Sequence, residues 1–363
     1  MTGKQSALEL LVLEGDGIGP EIMSATLTVL RAADASFVLG LSLEAAEVGW
    51  PAHHATGSTF PDAVEQKAKA VAGVLLGPVS HNDYPPRAQG GLNPSGELRK
   101  RLDLYANIRP ALSRPGFPPR CGKPVDLVIV RENTEGFYAD RNMHVGPGEF
   151  MPTPDLAMAV RKVTREGSMR IVEQAFRLAM QRRKQITVVH KANVLRVSDG
   201  LFLECARAVA KRYPQVKYQE QLIDAMAALL IRDASAFDVI VTTNMFGDIL
   251  SDEAAEISGS IGLAASLNAG SDYAVAQAQH GSAPGIAGKN IANPSSLIGS
   301  AAMLLAWLGE RRGEDRFLKA ARAIEAALDA VIAKPEGRTR DMGGNLDTDA
   351  FAARVAEVVE AGP

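Results

Sequence analysis

The sequence predicts an α/β protein on a largely parallel sheet, and three observations carry that prediction. Short apolar, β-branched runs such as Leu8–Leu13, Asp126–Val130 and Asp238–Thr242 have strand length and no polar face, the pattern of buried strands. Stretches with apolar residues at helical spacing separate these runs, as in strand–helix–strand units. Polar and charged residues gather just past the strand ends, where a parallel sheet of this kind collects its ligands.

With 363 residues, 46% hydrophobic and 22% charged, the chain has material for two domains or two lobes and a large core. The net charge of −3 is made of scattered charges of both signs, which argues against a nucleic-acid footprint and against a polybasic membrane patch. The first ten residues, MTGKQSALEL, lack an apolar core, so no secretory signal is expected, and no apolar run reaches membrane-spanning length. Two cysteines, Cys121 and Cys205, form neither a metal-ligand nor a disulfide pattern and fit a reducing cytoplasm. No internal repeat or low-complexity tract is present.

In chain order, the strand Leu8–Leu13 runs into Gly15-Asp16-Gly17-Ile18-Gly19, and a helix follows from Pro20, a residue suited to a first turn. Strand, glycine turn and helix are the layout of a phosphate loop, but the glycines fall at 15, 17 and 19 and do not spell GxGxxG. A plain tight turn explains them equally well. Val71–Gly77 is a second strand, followed by a long irregular stretch through Gly96, a length that functional loops tend to have. The four basic residues of 98–110 suit a solvated helix face, except that Arg109 follows an apolar stretch and precedes Pro110, as if ending a strand. Arg131 sits where the strand Asp126–Val130 ends, an expensive place for a charge unless it meets an anion. From Tyr138 to about Pro154 the chain is rich in Gly and Pro, as a loop or an arm packing on another subunit would be. Residues 157–165 read as a strand, 166–183 as a helix and Ile186–Val189 as a strand ending at Lys191, which is either a surface lysine or a group set at the sheet edge. Leu201–Tyr213 is helical, and Asp224 stands just before a helix, the place of an N-cap.

Phe237–Ile257 is the centre of the pattern. A buried strand over Asp238–Thr242 breaks at Thr243–Gly247, and a helix begins near Asp248. Asp248 and Asp252, four apart, share one face of its first turns. One reading makes them an N-cap and a helix-dipole partner. The other places a hard divalent cation between them, since two close carboxylates repel unless a cation intervenes and Mg²⁺ or Mn²⁺ takes oxygen ligands. A glycine-rich stretch follows through Asn293, of the kind that lets a ligand approach the backbone. Helices at about 295–309 and 314–333, a loop over 337–347 and a terminal amphipathic helix close the chain.

Seven motifs now stand in order: GDGIGPE at 15–21, LRKRLDLYANIRP at 98–110, RENTEGFY at 131–138, HKANVL at 190–195, DAMA at 224–227, TTNMFGDILSD at 242–252 and HGSAPGIAGKNIANP at 280–294. Together, over nearly the whole chain, they resemble the isocitrate/isopropylmalate dehydrogenase family, the metal-dependent β-decarboxylating dehydrogenases; LRKRLDLYANIRP is closest to the homoisocitrate branch. The resemblance implies a two-lobed fold, 1–106 with 258–363 as a large cofactor-binding lobe and 107–257 as a small dimerisation lobe, and not a GxGxxG Rossmann domain. It also implies a homodimer with a site shared between protomers. By position, Arg99, Arg109 and Arg131 match arginines that grip the carboxylates of a malate, a task suited to forked donors. Asp248 and Asp252 match Mg²⁺ or Mn²⁺ ligands, with Asp224 arriving from the second protomer. Tyr138 matches the acid that protonates the product carbon, and Lys191, also from the second protomer, the group that helps deprotonate the substrate hydroxyl. His280, Gly281, Ser282, Ala283, Gly285, Ile286, Asn293 and Asn193 match the NAD site.

This chain departs from the family pattern in two places. Gly285 stands where NAD-specific relatives carry an acid for the ribose hydroxyls, while Ile286 and the absence of a cation for a 2′-phosphate favour NAD over NADP. Before Arg99, isopropylmalate enzymes place leucines and isocitrate enzymes Ser-x-Asn; here Asn93 and Ser95 occupy those slots exchanged, and Gly96 stands where homoisocitrate enzymes add an arginine. The expected reaction is therefore the oxidative decarboxylation of a 3-substituted malate, with isopropylmalate, homoisocitrate and isocitrate as candidate substrates. The alternatives are a regulatory subunit of the same fold or a tartrate/D-malate-type dehydrogenase. The presence of Tyr138, Lys191 and all three aspartates favours a catalytic chain.

Overall fold

The computed structural model describes residues 7–138, 146 and 148–362. The first part of the chain forms β1 (Leu8–Leu13), α1 (Gly19–Phe37), β2 (Leu41–Ala46), α2 (Trp50–Thr56), α3 (Asp62–Ala70), β3 (Gly73–Leu76) and α4 (Pro94–Arg101). The middle forms β4 (Ala106–Leu112), β5 (Asp126–Glu132), β6 (Glu149–Thr153), β7 (Leu156–Ala159), α5 (Arg165–Gln181), β8 (Gln185–His190), α6 (Ser198–Ala210), β9 (Lys217–Leu222), α7 (Ile223–Asp233), β10 (Val239–Thr242) and α8 (Asn244–Ser258). The last part adds β11 (Leu267–Ala269), β12 (Ala274–Gln277), α9 (Ser295–Arg312), α10 (Asp315–Ile332) and α11 (Thr348–Ala361). Ten strands make one sheet in the order β2-β1-β3-β12-β11-β4-β5-β10-β8-β9. It is parallel through β2-β1-β3-β12 and through β5-β10-β8-β9, with β11 and β4 antiparallel between them.

Continuous apolar strands are buried on both faces because helices cover both. On β1, Leu8, Leu10 and Val12 face a core with α1, α9, α10 and α11, while Leu11 and Leu13 face one holding Phe60, Val64 and Leu98. On β5, Val128 and Val130 face α5 and α6, while Leu127 and Ile129 face Met226, Leu230 and Leu250 of α7 and α8. Each fully buried aliphatic side chain contributes about 1.5–3 kcal/mol. The cores around β1 draw on both ends of the chain and those around β5 on its middle.

Several boundaries differ from the sequence expectation. Helix α8 starts at Asn244, so Asp248 lies in its second turn and is no N-cap. The reason is Gly247: a Cβ there would stand 2.6 Å from the Arg131 side chain, so this glycine makes room within a helix and does not break one. Residues 157–165 are not one strand. An exposed two-stranded ribbon, β6 and β7, ends at Ala159, and Thr164 caps α5 by accepting from Gly167 N. Part of the Gly/Pro-rich arm, residues 139–145 and 147, lies outside the described residues. Strand β4 runs past Arg109 to Leu112, and β5 includes Arg131. Four strands of the ten-stranded sheet were not expected at all, and neither was β6 in the arm. β2 (LSLEAA) and β9 (KYQEQL) are the sheet's edges and carry no apolar run; β11 (LNA) and β12 (AVAQ) are too short to read.

The glycine turn after β1 is a packing junction. Gly15 and Gly17 have φ of +76° and +60°, and side chains there would stand 2.2 Å from the Pro78 carbonyl oxygen and 2.0 Å from that of Ser282. Between them the buried Asp16 carboxylate accepts from Trp50 N (2.8 Å), Ser80 N (2.9 Å) and the Tyr84 hydroxyl. The turn thus pins the segments that leave β3 and β12.

Candidate active site

The carboxyl ends of the parallel strands open on one side of the sheet. Ser80 and His81 follow β3, Gln279 and His280 follow β12, Tyr138 follows β5, Lys191 follows β8, Asp224 follows β9 and Asp248 follows β10. A cavity of about 320 Å³ is lined there by Arg99, Arg109, Arg131, Tyr138, Asp248 and His280, among others.

Arg109 and Arg131 reach it from neighbouring antiparallel strands and are almost wholly buried. Arg131 Nη1 donates to Asp248 Oδ1 at 2.5 Å, while Nε and Nη2 hold Asn244 Oδ1 at 3.1 and 2.7 Å. Arg109 Nη1 donates to Ser251 Oγ at 2.7 Å and faces Asp248 Oδ1 at 3.3 Å and Asp252 Oδ1 at 3.4 Å. Burial pulls the Arg109 pKa below its ordinary value, and the two aspartates offset part of that. Arg109 Nε is buried with no hydrogen-bond partner. Tyr138 donates its hydroxyl to Asp248 Oδ2 at 3.5 Å, and Gln279 Nε2 donates to Asp252 Oδ1 at 2.7 Å. The two aspartates thus converge on one cationic nitrogen, and both keep solvent-facing surface. Their hard, anionic oxygens are of the kind that a divalent cation takes as ligands.

Residues 9–359 match the family model described as isocitrate/isopropylmalate dehydrogenase. The chain belongs to the isocitrate/isopropylmalate dehydrogenase family. It is 42% identical over 358 residues to the isocitrate/homoisocitrate dehydrogenase of Thermus thermophilus, covering 98% of this chain and 99% of that one. It is 41% identical over 339 residues to the 3-isopropylmalate dehydrogenase of Sulfurisphaera tokodaii, covering 93% and 95%. Among solved structures, the isocitrate dehydrogenase from Methylococcus capsulatus superposes with a TM-score of 0.86 at 38% identity, covering 97% of this chain and 99% of that one. Membership of the isocitrate/isopropylmalate dehydrogenase family makes this chain an oxidoreductase whose reaction is the oxidative decarboxylation of a hydroxy acid.

Within that family frame, the expected site residues fall into three groups. Arg99, Arg109, Arg131, Tyr138 and Asp248 share the cavity, with Asp252 joined through Arg109. Asn93 and Ser95 line it too, but each is already engaged: Asn93 Oδ1 caps α4 by accepting from Gly96 N (3.2 Å), and Ser95 Oγ donates to Gln277 Oε1 (2.8 Å). Lys191 and Asp224 form their own ion pair at 2.5 Å, and neither lines the cavity. That bond holds the Asp224 carboxyl below its ordinary pKa. Consistent with this separation, no group of three metal-ligating side chains comes together among the described residues of one chain. Asn193 is exposed in the turn after Lys191.

The segment after β12 holds the remaining residues. His280 and Gly281 line the cavity; the His280 ring is half-buried, and this loss of solvent pushes its pKa down; its buried Nε2 has no hydrogen-bond partner. Ser282 Oγ meets Ser80 Oγ at 2.8 Å. Ala283 (φ 40°) and Gly285 are exposed, with nothing near the position a Gly285 side chain would take. Ile286 packs partly on the α9–α11 core. Asn293 accepts from Ser295 N (3.0 Å) and donates to Asp341 Oδ2 (2.9 Å), which ties the segment to the loop before α11. Sequence reasoning missed Asn244, Ser251 and Gln279. The first two lie inside TTNMFGDILSD, where their spacing around Asp248 was a usable signal; Gln279 had none.

Proposed function

We propose that this chain catalyses NAD-dependent, Mg²⁺- or Mn²⁺-dependent oxidative decarboxylation of a 3-substituted malate of the isopropylmalate, homoisocitrate or isocitrate type. The observation that carries the reading is the pairing of buried Arg109 and Arg131 with Asp248 and Asp252 in one cavity. Such a site suits an oxyacid bridging arginines and a cation. Arg99, Arg109 and Arg131 would orient the carboxylates. Lys191 of a second copy would accept the hydroxyl proton, and Tyr138 would return a proton to C3. The divalent ion, held by Asp248, Asp252 and a second copy's Asp224, would supply the charge that loosens that proton and offsets the forming enolate, worth several kcal/mol. NAD, held by residues 280–286, Asn293 and Asn193, would take the hydride from C2; neither Gly285 nor Ile286 brings a cation for a 2′-phosphate, and the nearby Lys289 Nζ is engaged with the Gly285 carbonyl oxygen at 2.8 Å.

We place the active species as a cytoplasmic homodimer of two-lobed chains, 1–106 with 258–363 forming one lobe and 107–257 the other. The separate cores support the lobes. Exposed Met151, Leu156 and Met158 on the ribbon, and Val194 and Val197 beside Lys191, support a covered face. No described helix is long and apolar enough to cross a membrane. The test is turnover by the purified chain with Mn²⁺ and NAD on isopropylmalate, homoisocitrate, isocitrate and D-malate. Activity without a partner protein excludes a regulatory subunit; equal, negligible rates on all four overturn the substrate class.

A further inference from the structure

Arg161 and Asp199 lie outside every motif of the sequence, yet they form an ion pair largely withdrawn from solvent. Asp199, in the first turn of α6, has no exposed surface, and the Arg161 side chain is 9% exposed. Arg161 Nη1 donates to Asp199 Oδ1 and to Ser198 Oγ, the latter at 2.8 Å. The other Asp199 oxygen accepts from the backbone N–H of Lys191 at 2.6 Å. Arg161 Nη2 donates to Thr243 Oγ1 at 3.0 Å, and Thr243 is the residue on which α8, with Asp248 and Asp252, begins. The guanidinium also stands over the Phe246 ring at 5.5 Å and the Phe137 ring at 5.9 Å, within cation–π range. Phe137 adjoins Tyr138, and the neighbouring backbone is stitched to the Arg161 segment by Gly136 N to Lys162 O (2.7 Å) and Lys162 N to Gly136 O (2.9 Å).

One buried ion pair therefore touches the supports of three separate groups: the Lys191 turn through Asp199, the start of the Asp248 helix through Thr243 and Phe246, and the Tyr138 loop through Phe137. We propose that Arg161 and Asp199 are positioning residues that set the Lys191 turn, the head of α8 and the Tyr138 loop in fixed relation. Neither lines the cavity, so the pair acts through the groups it holds. Planar Arg161 suits this because its two terminal nitrogens sit apart on a rigid fork, Nη1 serving Asp199 and Ser198 and Nη2 serving Thr243, a span that the single nitrogen of a lysine does not cover. The inference rests on the function proposed above for the roles of Lys191, Tyr138 and Asp248, but the placement itself is testable without turnover.

The experiment compares the full-length wild type with Asp199→Asn, Arg161→Met, Arg161→Lys and the Asp199→Asn/Arg161→Met double variant. A shift of about 1 Å in a reacting group costs on the order of a hundredfold, so each single variant should lose about 10- to 100-fold in kcat per folded chain. KM for the malate should stay within about threefold, because Arg109 and Arg131 are untouched and uniform binding is kept. The double variant should be no worse than the poorer single, the mark of two groups acting as a unit. Arg161→Lys restores a positive charge beside Asp199; it should recover melting temperature but not kcat. Crystal structures of the Asp199→Asn and Arg161→Met variants should find the Lys191 turn or the head of α8 displaced on an otherwise unchanged fold. Recovery of kcat together with melting temperature in Arg161→Lys, or an undisplaced turn and helix, overturns the proposal and leaves the pair a stabilising contact only. A wild type inert on every malate would instead overturn the proposed function, and the displacement would still decide this inference.

Discussion

Replacing Asp248 by Asn separates the two services that this carboxylate renders. In the structure its Oδ1 lies 2.5 Å from Arg131 Nη1 and 3.3 Å from Arg109 Nη1, and both arginines are buried. At 3.3 Å and an effective dielectric of about 20, one such attraction is worth about 5 kcal/mol gross. The Asp248 side chain is 38% exposed and the asparagine keeps an acceptor oxygen, so the net cost to the metal-free fold should be about 1–2 kcal/mol. Arg109 also keeps Asp252 at 3.4 Å and Ser251 at 2.7 Å, which limits the loss. The ion-holding role is more demanding, because a neutral amide cannot replace an anionic ligand. The assay is urea unfolding with and without Mn²⁺ and substrate, alongside turnover. A ligand at a hundred times its Kd stabilises the wild type by about 2.7 kcal/mol. The Asn variant should gain less than about 0.5 kcal/mol under the same conditions and lose about a thousandfold or more in kcat. Equal stabilisation of the two proteins by Mn²⁺, or retained Mn²⁺-dependent turnover in the variant, would refute the assignment.

Three further outcomes are expected. Lys191→Met should slow the hydride step, read as a drop in kcat at saturating substrate; its ion-pair partner, Asp224, is 65% exposed, so the urea unfolding midpoint should hardly move. Gly17→Ala should destabilise the chain by about 1–3 kcal/mol or more, since a methyl group there meets the Ser282 carbonyl oxygen at 2.0 Å with φ at +60°, and it should raise KM for NAD by displacing the segment after β12. His280 should make the protein less stable as pH falls: burial depresses its native pKa, so below about 6.5 the unfolded chain binds a proton that the native one refuses. His280→Gln should flatten that slope in urea midpoints taken between about pH 7 and 5, and an unchanged slope would contradict the burial argument.

What could be read from the chain alone depended on how local the physics was. The buried strands β1, β5, β8 and β10 announced themselves because a strand covered on both faces must be apolar throughout, and the helices α5 and α10 because one face repeats every three to four residues. Arg131 stood out because a charge where such a strand ends is costly unless it meets an anion, and Asp248 and Asp252 because they fall four apart on one helix face; Arg99 and Tyr138 were singled out by the family resemblance alone. Edge strands β2 and β9 were invisible because half-covered backbone makes no such demand on its side chains. Gly247 misled for a related reason. Its purpose is the Arg131 side chain against it, a residue distant in sequence, and nothing near it signals a helix interior. The tertiary structure alone decided which side chains meet: that Asp248 and Asp252 share Arg109, that Lys191 pairs with Asp224 away from the cavity, and that the Arg161–Asp199 pair joins the Lys191 turn, the head of α8 and the Tyr138 loop. Those contacts join elements scores of residues apart, and the relative placement of strands in a ten-stranded sheet, which no local pattern encodes, is what brings them within reach.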